Sequence, residues 1–266
     1  SCFFIEPDIW ELLYDIEKIA AEGGAEILPE IHEHYTIPMK IADKGFWIYD
    51  FALPVLTLHA LYNHTGKYLK EWLLKCPMKQ FTTLDTHDGI GIVDVKDLLP
   101  DEEIEKVKDQ MYSKGANVKM IYSSEAYNNL DIYQVNTTYY SALGNNDSAY
   151  LLARAIQFFA PGIPQVYYVG MLAGENDIDL MERTKNGRDI NRHYYTAEDV
   201  ENEQSRPVVQ KLKELMELRN THPAFSLDGN IEVNADDDRL VIIRKHGSDK
   251  ITLTANLTTY EFKIEG

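Results

Sequence analysis

Two polar clusters hold the side chains of this sequence that could do chemistry. One is the run Leu84-Asp85-Thr86-His87-Asp88-Gly89-Ile90-Gly91, in which two carboxylates and a histidine lie within four residues and two glycines let the backbone approach a ligand closely. The other is Pro29-Glu30-Ile31-His32, where strand alternation would place Glu30 and His32 on one face. Because α/β enzymes carry catalytic groups at the C-terminal ends of strands, both clusters are candidates for an active site.

Each cluster also has an ordinary structural explanation. The sequence Asp-Thr-His-Asp-Gly can form an Asx-turn with a solvated histidine, and Glu30 with His32 can form a surface ion pair. The run His32-Glu33-His34 could chelate a metal, but it has neither the helical HExxH spacing nor an obvious third ligand. We therefore expect no metal site.

Helical and strand periodicities alternate along most of the chain. The predicted helices are 6–21, 37–44, 54–61, 68–74, 149–159 and 203–220, and the predicted strands are 25–32, 46–51, 81–84 and 163–170. Alternating strands and helices require a parallel sheet covered by helices. Four such units with apolar faces make either half of an eight-stranded barrel or a small doubly wound sheet.

Two segments depart from this alternation. Residues 94–145 begin with an acidic, lysine-rich helical pattern and continue irregularly, so we interpret them as an excursion over the end of the sheet, with a decorative insertion as the alternative. Residues 231–264 alternate as short strands with turns at Asp237-Asp238 and His246-Gly247-Ser248. This pattern predicts a separate small antiparallel module.

The composition restricts the partners of the chain. With 26 basic and 43 acidic side chains among 266 residues, the formal charge is −17, which argues against nucleic acid or an anionic membrane as a partner. Apolar runs end well before the roughly 18 residues that span a bilayer, and the first residues lack the features of a signal peptide. Two cysteines, Cys2 and Cys76, form no CxxC unit, which favours a reducing, cytoplasmic compartment, although a disulfide between them stays open.

Four motifs together resemble one family, the sucrose phosphorylases of the α-amylase superfamily. They are the 84–91 run, Asn129-Leu130-Asp131-Ile132-Tyr133-Gln134, Pro164-Gln165-Val166-Tyr167-Tyr168-Val169-Gly170 and Asn186-Gly187-Arg188-Asp189-Ile190-Asn191-Arg192-His193-Tyr194-Tyr195. The resemblance runs over the whole chain. It implies an α/β fold that is the C-terminal half of a TIM (β/α)8 barrel, strands five to eight. Residues 1–225 would be the partial barrel, with an inserted subdomain at about 94–145, and residues 226–266 a small β-sheet C-terminal domain.

The same resemblance implies roles for individual residues. Glu30 matches the general acid/base and Asp88 the carboxylate that stabilises the transition state, with His87 beside it as a donor to sugar hydroxyls. Arg188 matches the arginine at the far edge of the glucosyl ring. The positions that match a mobile loop near the acceptor are Asp131, Tyr133 and Gln134, and His32 would line the same subsite. No cofactor is implied, because Gly-rich phosphate loops are missing and phosphate would be a free substrate.

The implied reaction is a retaining glucosyl transfer. Sucrose and inorganic phosphate would give α-D-glucose 1-phosphate and fructose, which requires an acid, a carboxylate nucleophile about 5 to 5.5 Å away and stabilisation of an oxocarbenium-like transition state. A sister phosphorylase that acts on sucrose 6'-phosphate, glucosylglycerol or glucosylglycerate is an alternative within enzymes. A non-catalytic carbohydrate-binding fragment is an alternative of another class.

One departure from the family concerns the nucleophile. In the family this aspartate lies on the fourth barrel strand, a little before a Thr-Ser-Cys-Phe segment, and this sequence begins at Ser1-Cys2-Phe3-Phe4. We therefore expect the 266 residues to be a fragment that does not turn over substrate by itself. Because half a barrel exposes strand edges and an apolar interior, we also expect a homodimer or a complementary barrel half as a partner.

Overall fold

A short parallel sheet organises the first part of the chain. The computed structural model describes residues 6–117 and 134–266. The sheet has the order β1-β2-β5, where β1 is Ile48–Asp50, β2 is Gln80–Thr82 and β5 is Ile163–Pro164. Both pairings are parallel, with Tyr49 opposite Phe81 and Thr82 opposite Pro164. The strands therefore present their carboxyl ends at one edge.

Helices cover this sheet. Their bounds are α1 Asp8–Glu22, α2 Thr36–Asp43, α3 Leu53–Asn63, α4 Lys67–Lys75, α5 Asp101–Ser113, α6 Tyr139–Ala142, α7 Asp147–Phe159, α8 Tyr168–Met171, α9 Ile178–Thr184, α10 Ala197–Gln204 and α11 Pro207–Thr221. The α3 helix is buried from Leu53 to Leu61, as its almost uninterrupted apolar sequence requires. Helix α7 is capped by Asn146, whose side chain accepts from the backbone N–H of Ala149. Among the described residues, no helix is long and apolar enough to cross a lipid bilayer.

Helix α5 belongs to the predicted excursion but packs on the main core. Its buried side chains, Ile104, Val107 and Met111, join the same cluster of apolar residues as α3 and α7. A two-stranded antiparallel sheet, formed by β3 (Ile90–Gly91) and β4 (Gln134–Val135), packs against α3. The described part of residues 94–145 is therefore bound to the body of the fold by apolar contacts.

The C-terminal module is a four-stranded antiparallel sheet, as the alternating pattern predicted. Its strands are β6 Asn230–Asp236, β7 Arg239–His246, β8 Asp249–Asn256 and β9 Phe262–Glu265, in sequential order. The turn predicted at 237–238 is confirmed, and the turn predicted at 246–248 is confined to 247–248, because His246 is the last residue of β7. Arg244, fully buried, anchors the module by donating to the backbone oxygen of Ala160 at 2.8 Å and that of Ser226 at 3.2 Å.

Several predicted elements are corrected by the structure. Residues 25–32 form no strand, because none of their backbone groups pairs in a ladder with the described strands, and Pro29 has no N–H to donate. The predicted strand 163–170 pairs only at Ile163–Pro164, after which Tyr168–Met171 turns into a helix. The parallel sheet among the described residues thus has three strands rather than the four expected from strands five to eight.

Prolines account for two corrections to predicted helices. The predicted helix 203–220 is divided into α10 and α11, because Arg206 precedes Pro207 and adopts an extended conformation with ψ of 136°. The predicted helical segment 94–108 is a 3₁₀ turn at Val93–Val95 followed by α5, which begins directly after Pro100. Cys76 is a buried free thiol, and Cys2 lies outside the described residues.

Candidate active site

The two polar clusters of the sequence meet in the fold. The segment with Asp88 follows β2, and the segment with His32 lies against the end of β1, where its imidazole stacks on Phe51 with ring centroids 4.0 Å apart. Glu30, His32 and Asp88 each place one polar side-chain atom within 4.8 Å of the others. Because β1 and β2 are parallel neighbours, their carboxyl ends bring these side chains to one edge.

Asp88 is the most heavily paired carboxylate of this site. Its Oδ1 atom lies 3.0 Å from Nη1 of Arg188, 3.3 Å from Nη2 of Arg192 and 3.4 Å from Nε2 of His87. The backbone at this position is fixed as well. Nε of Arg192 donates to the backbone oxygen of His87 at 2.8 Å, and Nδ2 of Asn136 donates to the backbone oxygen of Asp88 at 2.8 Å. The carboxylate is thus held in one orientation by charge-assisted contacts.

Glu30 and His32 form the opposite side of the site. Nε2 of His32 lies 3.5 Å from Oε1 of Glu30, and the Glu30 side chain is 54% exposed while that of His32 is 23% exposed. Burial lowers the pKa of His32, and the carboxylates of Glu30 and Asp88 oppose this shift. An exposed carboxyl group beside a largely buried, neutral imidazole can receive a ligand from solvent.

The spacing of Glu30, His32 and Asp88 is also compatible with metal coordination, but the surrounding charges favour another interpretation. Two guanidinium groups already contact Oδ1 of Asp88. A cation added there would meet their repulsion. The arrangement is better suited to a neutral ligand with many hydroxyl groups.

The geometry supports acid/base chemistry with two carboxyl groups. Glu30 and Asp88 each place a carboxyl oxygen within 4.8 Å of the other, so both carboxyl groups can act on the same ligand. Within residues 6–117 and 134–266, the one ion pair of Glu30 is with a histidine, whereas Asp88 is paired with two arginines. The two groups therefore differ in environment, as an acid and an anionic stabiliser must.

The structure brings together Glu30, His32, His87, Asp88 and Arg188, five of the residues selected from the sequence. Gln134, in β4, pairs with Gly91 at the rim of the site. Asp131 and Tyr133 lie outside the described residues.

Three residues near the site were not selected from the sequence. Arg192 directly follows the 3₁₀ helix Gly187–Asn191 that carries Arg188, and it lies in the same motif that resembles the family. Asn136 fixes the Asp88 backbone, and Asp94 is buried behind the site at 3% exposure. No sequence pattern marks either of the last two, because their positions depend on the β3–β4 pairing.

Comparison with known proteins places this architecture. No family model matches the chain. The chain is 59% identical over 247 residues to the sucrose phosphorylase of Streptococcus mutans, covering 93% of this chain and 51% of that protein. It is 45% identical to the glucosylglycerol phosphorylase of Marinobacter adhaerens, covering 99% of this chain and 55% of that protein. The chain therefore spans about half the length of the curated relatives it matches.

Solved structures agree with the sequence relatives. The crystal structure of sucrose 6F-phosphate phosphorylase from Thermoanaerobacter thermosaccharolyticum superposes with a TM-score of 0.91 at 42% identity, covering 100% of this chain and 54% of that one. A cyclic α-maltosyl-(1→6)-maltose hydrolase from Arthrobacter globiformis superposes at 0.60 with 14% identity, covering 92% and 44%, and shares the fold alone.

The architecture is of the α-amylase type, a (β/α) barrel arrangement with a C-terminal antiparallel sheet. Within that class, sequence and structure identify the chain as a homologue of the sucrose phosphorylases.

Proposed function

We propose that these residues form the acid/base side of a retaining glucosyl phosphorylase, a glycosyltransferase that converts sucrose and inorganic phosphate into α-D-glucose 1-phosphate and fructose. The observation that carries the proposal is the convergence of Glu30, His32 and Asp88 in a chain 59% identical to a sucrose phosphorylase. Two differently paired carboxyl groups can serve as the acid and as the anionic stabiliser in the cleavage of a glycosidic bond.

Glu30 is the acid/base in this proposal. It gives its proton to the fructosyl oxygen as the bond between that oxygen and the anomeric carbon breaks, and it recovers a proton from phosphate in the second step. Its exposed side chain can reach a leaving group that enters from solvent. The carboxylate nucleophile that bonds to the anomeric carbon between the two steps is placed by the family resemblance outside residues 1–266.

Asp88 and the arginines act on the glucosyl ring. The Asp88 carboxylate stabilises the positive charge that develops on the ring and accepts from its hydroxyl groups, while Arg188 and His87 donate to the ring. Arg188 is 42% exposed and His87 59% exposed, so both side chains can exchange their contact with Asp88 for a ligand.

The acceptor subsite belongs to His32, Asp131, Tyr133 and Gln134 in this proposal. A subsite that receives fructose in one half-reaction and phosphate in the other must present different groups, because a carboxylate repels phosphate and a hydroxyl can donate to it. Free phosphate is the second substrate, and no cofactor takes part.

The alternative within the same proposal is a glucosyl phosphorylase with another acceptor. The relatives include a glucosylglycerol phosphorylase at 45% identity and a sucrose 6(F)-phosphate phosphorylase at 42% identity. Rates at which the chain extended upstream of Ser1 phosphorolyses sucrose, sucrose 6'-phosphate and glucosylglycerol at equal concentrations decide between them. An extended chain that binds glucose but turns over none of the three would instead be a carbohydrate-binding module.

The decisive experiment measures α-D-glucose 1-phosphate formed from sucrose and phosphate. It uses the 266-residue chain and a second preparation extended by the residues encoded upstream of Ser1. We expect product from the extended chain and none from the 266 residues, which still bind glucose. Turnover by the 266 residues contradicts the fragment proposal, and a stop codon just before Ser1 with no nearby coding half rejects it. Absence of product with every donor and both preparations contradicts the function.

One exposed helix face supports the proposal that this chain binds a second copy or a complementary barrel half. On α1, Leu12, Ile16 and Ile19 are 51%, 43% and 69% exposed. Exposed aliphatic side chains at helical spacing favour burial against another surface. Light scattering of the 266-residue chain should therefore show self-association, and a monomer at high concentration would argue against a second copy as the partner.

A further inference from the structure

Two buried polar atoms behind the active site have no hydrogen-bond partner among residues 6–117 and 134–266. They are Nδ1 of His32 and Oδ2 of Asp94. Asp94 sits in the 3₁₀ turn Val93–Val95 and is 3% exposed. Buried polar atoms in folded proteins nearly always have a hydrogen-bond partner. Two neighbouring buried atoms without one therefore indicate a common cause.

Both atoms face the same small space, next to Gly91. A Cβ atom on Gly91 would lie 2.2 Å from Oδ2 of Asp94 and 3.9 Å from Nδ1 of His32. Gly91 has no side chain to fill this space, and its backbone position is fixed by pairing with Gln134. Because position 91 has no side chain, no protein atom of that residue separates the imidazole of His32 from the carboxyl group of Asp94.

The protonation states of the two groups are complementary. Burial raises the pKa of Asp94 to about 8, and the carboxylates of Asp50 and Glu33 add to the shift, so the carboxyl group keeps its proton at neutral pH. Burial lowers the pKa of His32, with Arg188 acting in the same direction and Glu30 and Asp88 against it. A neutral imidazole has one donor and one acceptor nitrogen, and a protonated carboxyl group is a donor.

We propose that Asp94 is a positioning residue for His32: its carboxyl group donates to one water molecule beside Gly91, this water donates to Nδ1, and the imidazole proton is thereby kept on Nε2, facing Glu30. With the proton there, Nε2 donates to Oε1 of Glu30, 3.5 Å away. The ring stacked on Phe51 then cannot flip without losing both contacts. Asp94 thereby orients Glu30 through His32 without touching the substrate.

A water molecule in a second small cavity could instead be the hydrogen-bond partner of Asp94. A cavity of about 10 Å³, lined by Asp94, Asp50 and Tyr35 among others, has room for one water molecule. If that water alone satisfied Oδ2, Asp94 would have no influence on His32. The two arrangements differ in the tautomer of His32 and in its response to substitution at position 94.

The test is ¹⁵N NMR of the histidine side chains in the full 266-residue chain, with His32 assigned by His32→Gln. We expect one tautomer for His32 at neutral pH, protonated on Nε2. His64 is an internal reference of the opposite kind, because its Nδ1 lies 2.9 Å from the backbone oxygen of Leu257, which can only accept. We expect Asp94→Ala to lose the single tautomer of His32, and Asp94→Asn, whose amide still donates, to keep it.

Three outcomes overturn the proposal: His32 protonated on Nδ1 in the unsubstituted chain, an unchanged His32 spectrum in folded Asp94→Ala, or loss of the single tautomer in folded Asp94→Asn. If Asp94→Ala does not fold, the unsubstituted chain and Asp94→Asn still decide. The role given to Glu30 rests on the proposed function, but the tautomer is measured without turnover. A chain with the expected tautomer and no phosphorylase activity in any form would therefore contradict the function and leave the positioning of His32 intact.

Discussion

Asp85 and Arg154 form an ion pair from which solvent is excluded. Nη2 of Arg154 lies 2.7 Å from Oδ1 of Asp85, and the two side chains are 0% and 2% exposed. Arg154 is also held by Tyr150, whose hydroxyl oxygen accepts from Nε at 3.0 Å. Since Asp85 lies three residues before Asp88, this pair ties helix α7 to the segment that carries the active-site carboxylate.

We expect Arg154→Met to destabilise the fold by about 3–5 kcal/mol, because it leaves the buried Asp85 carboxylate without its counter-charge. The double variant Asp85→Leu with Arg154→Met should regain most of that loss, since it removes both charges. Urea unfolding followed by circular dichroism measures both values. A single variant as stable as the parent chain would show that the pair is not buried in solution.

Gly170 makes room for this ion pair. A Cβ atom there would lie 2.2 Å from Nη2 of Arg154 and 2.4 Å from Oδ2 of Asp85. We expect Gly170→Ala to destabilise the chain by about 1–3 kcal/mol through overpacking. Gly23→Ala is the matched control, because its nearest contact would be 3.3 Å and its position follows the exposed end of α1. Equal unfolding midpoints for the two variants would contradict the close packing at Gly170.

Sequence reasoning was most successful where a periodic apolar pattern decides the local structure. Helix α7 and the C-terminal sheet follow from the spacing of their apolar residues, and α3 follows from an almost uninterrupted apolar run. The spacing also predicted helix α1, but of its apolar residues only Leu13 is buried, so the expected packing of that face on the sheet was wrong. The strand expected at residues 25–32 was wrong for a physical reason. An apolar extended run becomes a strand only when a neighbour completes its hydrogen bonds, and no local pattern encodes that neighbour.

The site shows the same limit. Glu30 and Asp88 were found because carboxylates at strand ends point to catalysis and because the motifs resemble a family. The contact of Arg192 with Asp88 joins residues 104 positions apart. Oδ2 of Asp94 has no hydrogen-bond partner among the described residues because it is buried away from them and from solvent. The residues adjacent to Asp94 in sequence do not indicate this burial.

Asp94 should make the stability of the chain depend on pH. Its pKa is about 8 in the folded chain and near the ordinary 3.8 when unfolded, so the folded state binds the extra proton between these values. Stability from this group is complete below about pH 4 and is lost as pH rises toward 8, by about 1.4 kcal/mol per pH unit. Asp94→Asn should remove that slope. Urea unfolding at several pH values between 5 and 8 measures it, and parallel slopes for the two chains would refute the assignment.

Arg188 and Arg192 share one oxygen of Asp88 but differ in exposure, at 42% and 27%. We expect Arg188→Ala to weaken glucose binding about tenfold, because a charge-assisted donor to the ring is lost. Arg192→Ala should weaken glucose binding as well, by releasing the backbone at His87, to which Arg192 donates. Arg183→Ala, on the exposed surface of α9, is the control. Calorimetric titration with glucose compares the three, and equal affinities would remove Arg188 from the binding site.

Substitution of Glu30 distinguishes a role in proton transfer from a role in substrate binding. We expect Glu30→Gln to lower the rate of sucrose phosphorolysis by about 10²–10⁴, since the fructosyl oxygen must be protonated as it leaves. With α-glucosyl fluoride, whose leaving group needs no proton, the first step should be nearly unaffected. The side chain is 54% exposed, so the fold should be equally stable in both chains. Glu33→Gln, an exposed neighbour, controls for the loss of one negative charge. The measurement uses the chain extended upstream of Ser1, and equal losses with both donors would show that Glu30 acts on binding or structure rather than as the acid.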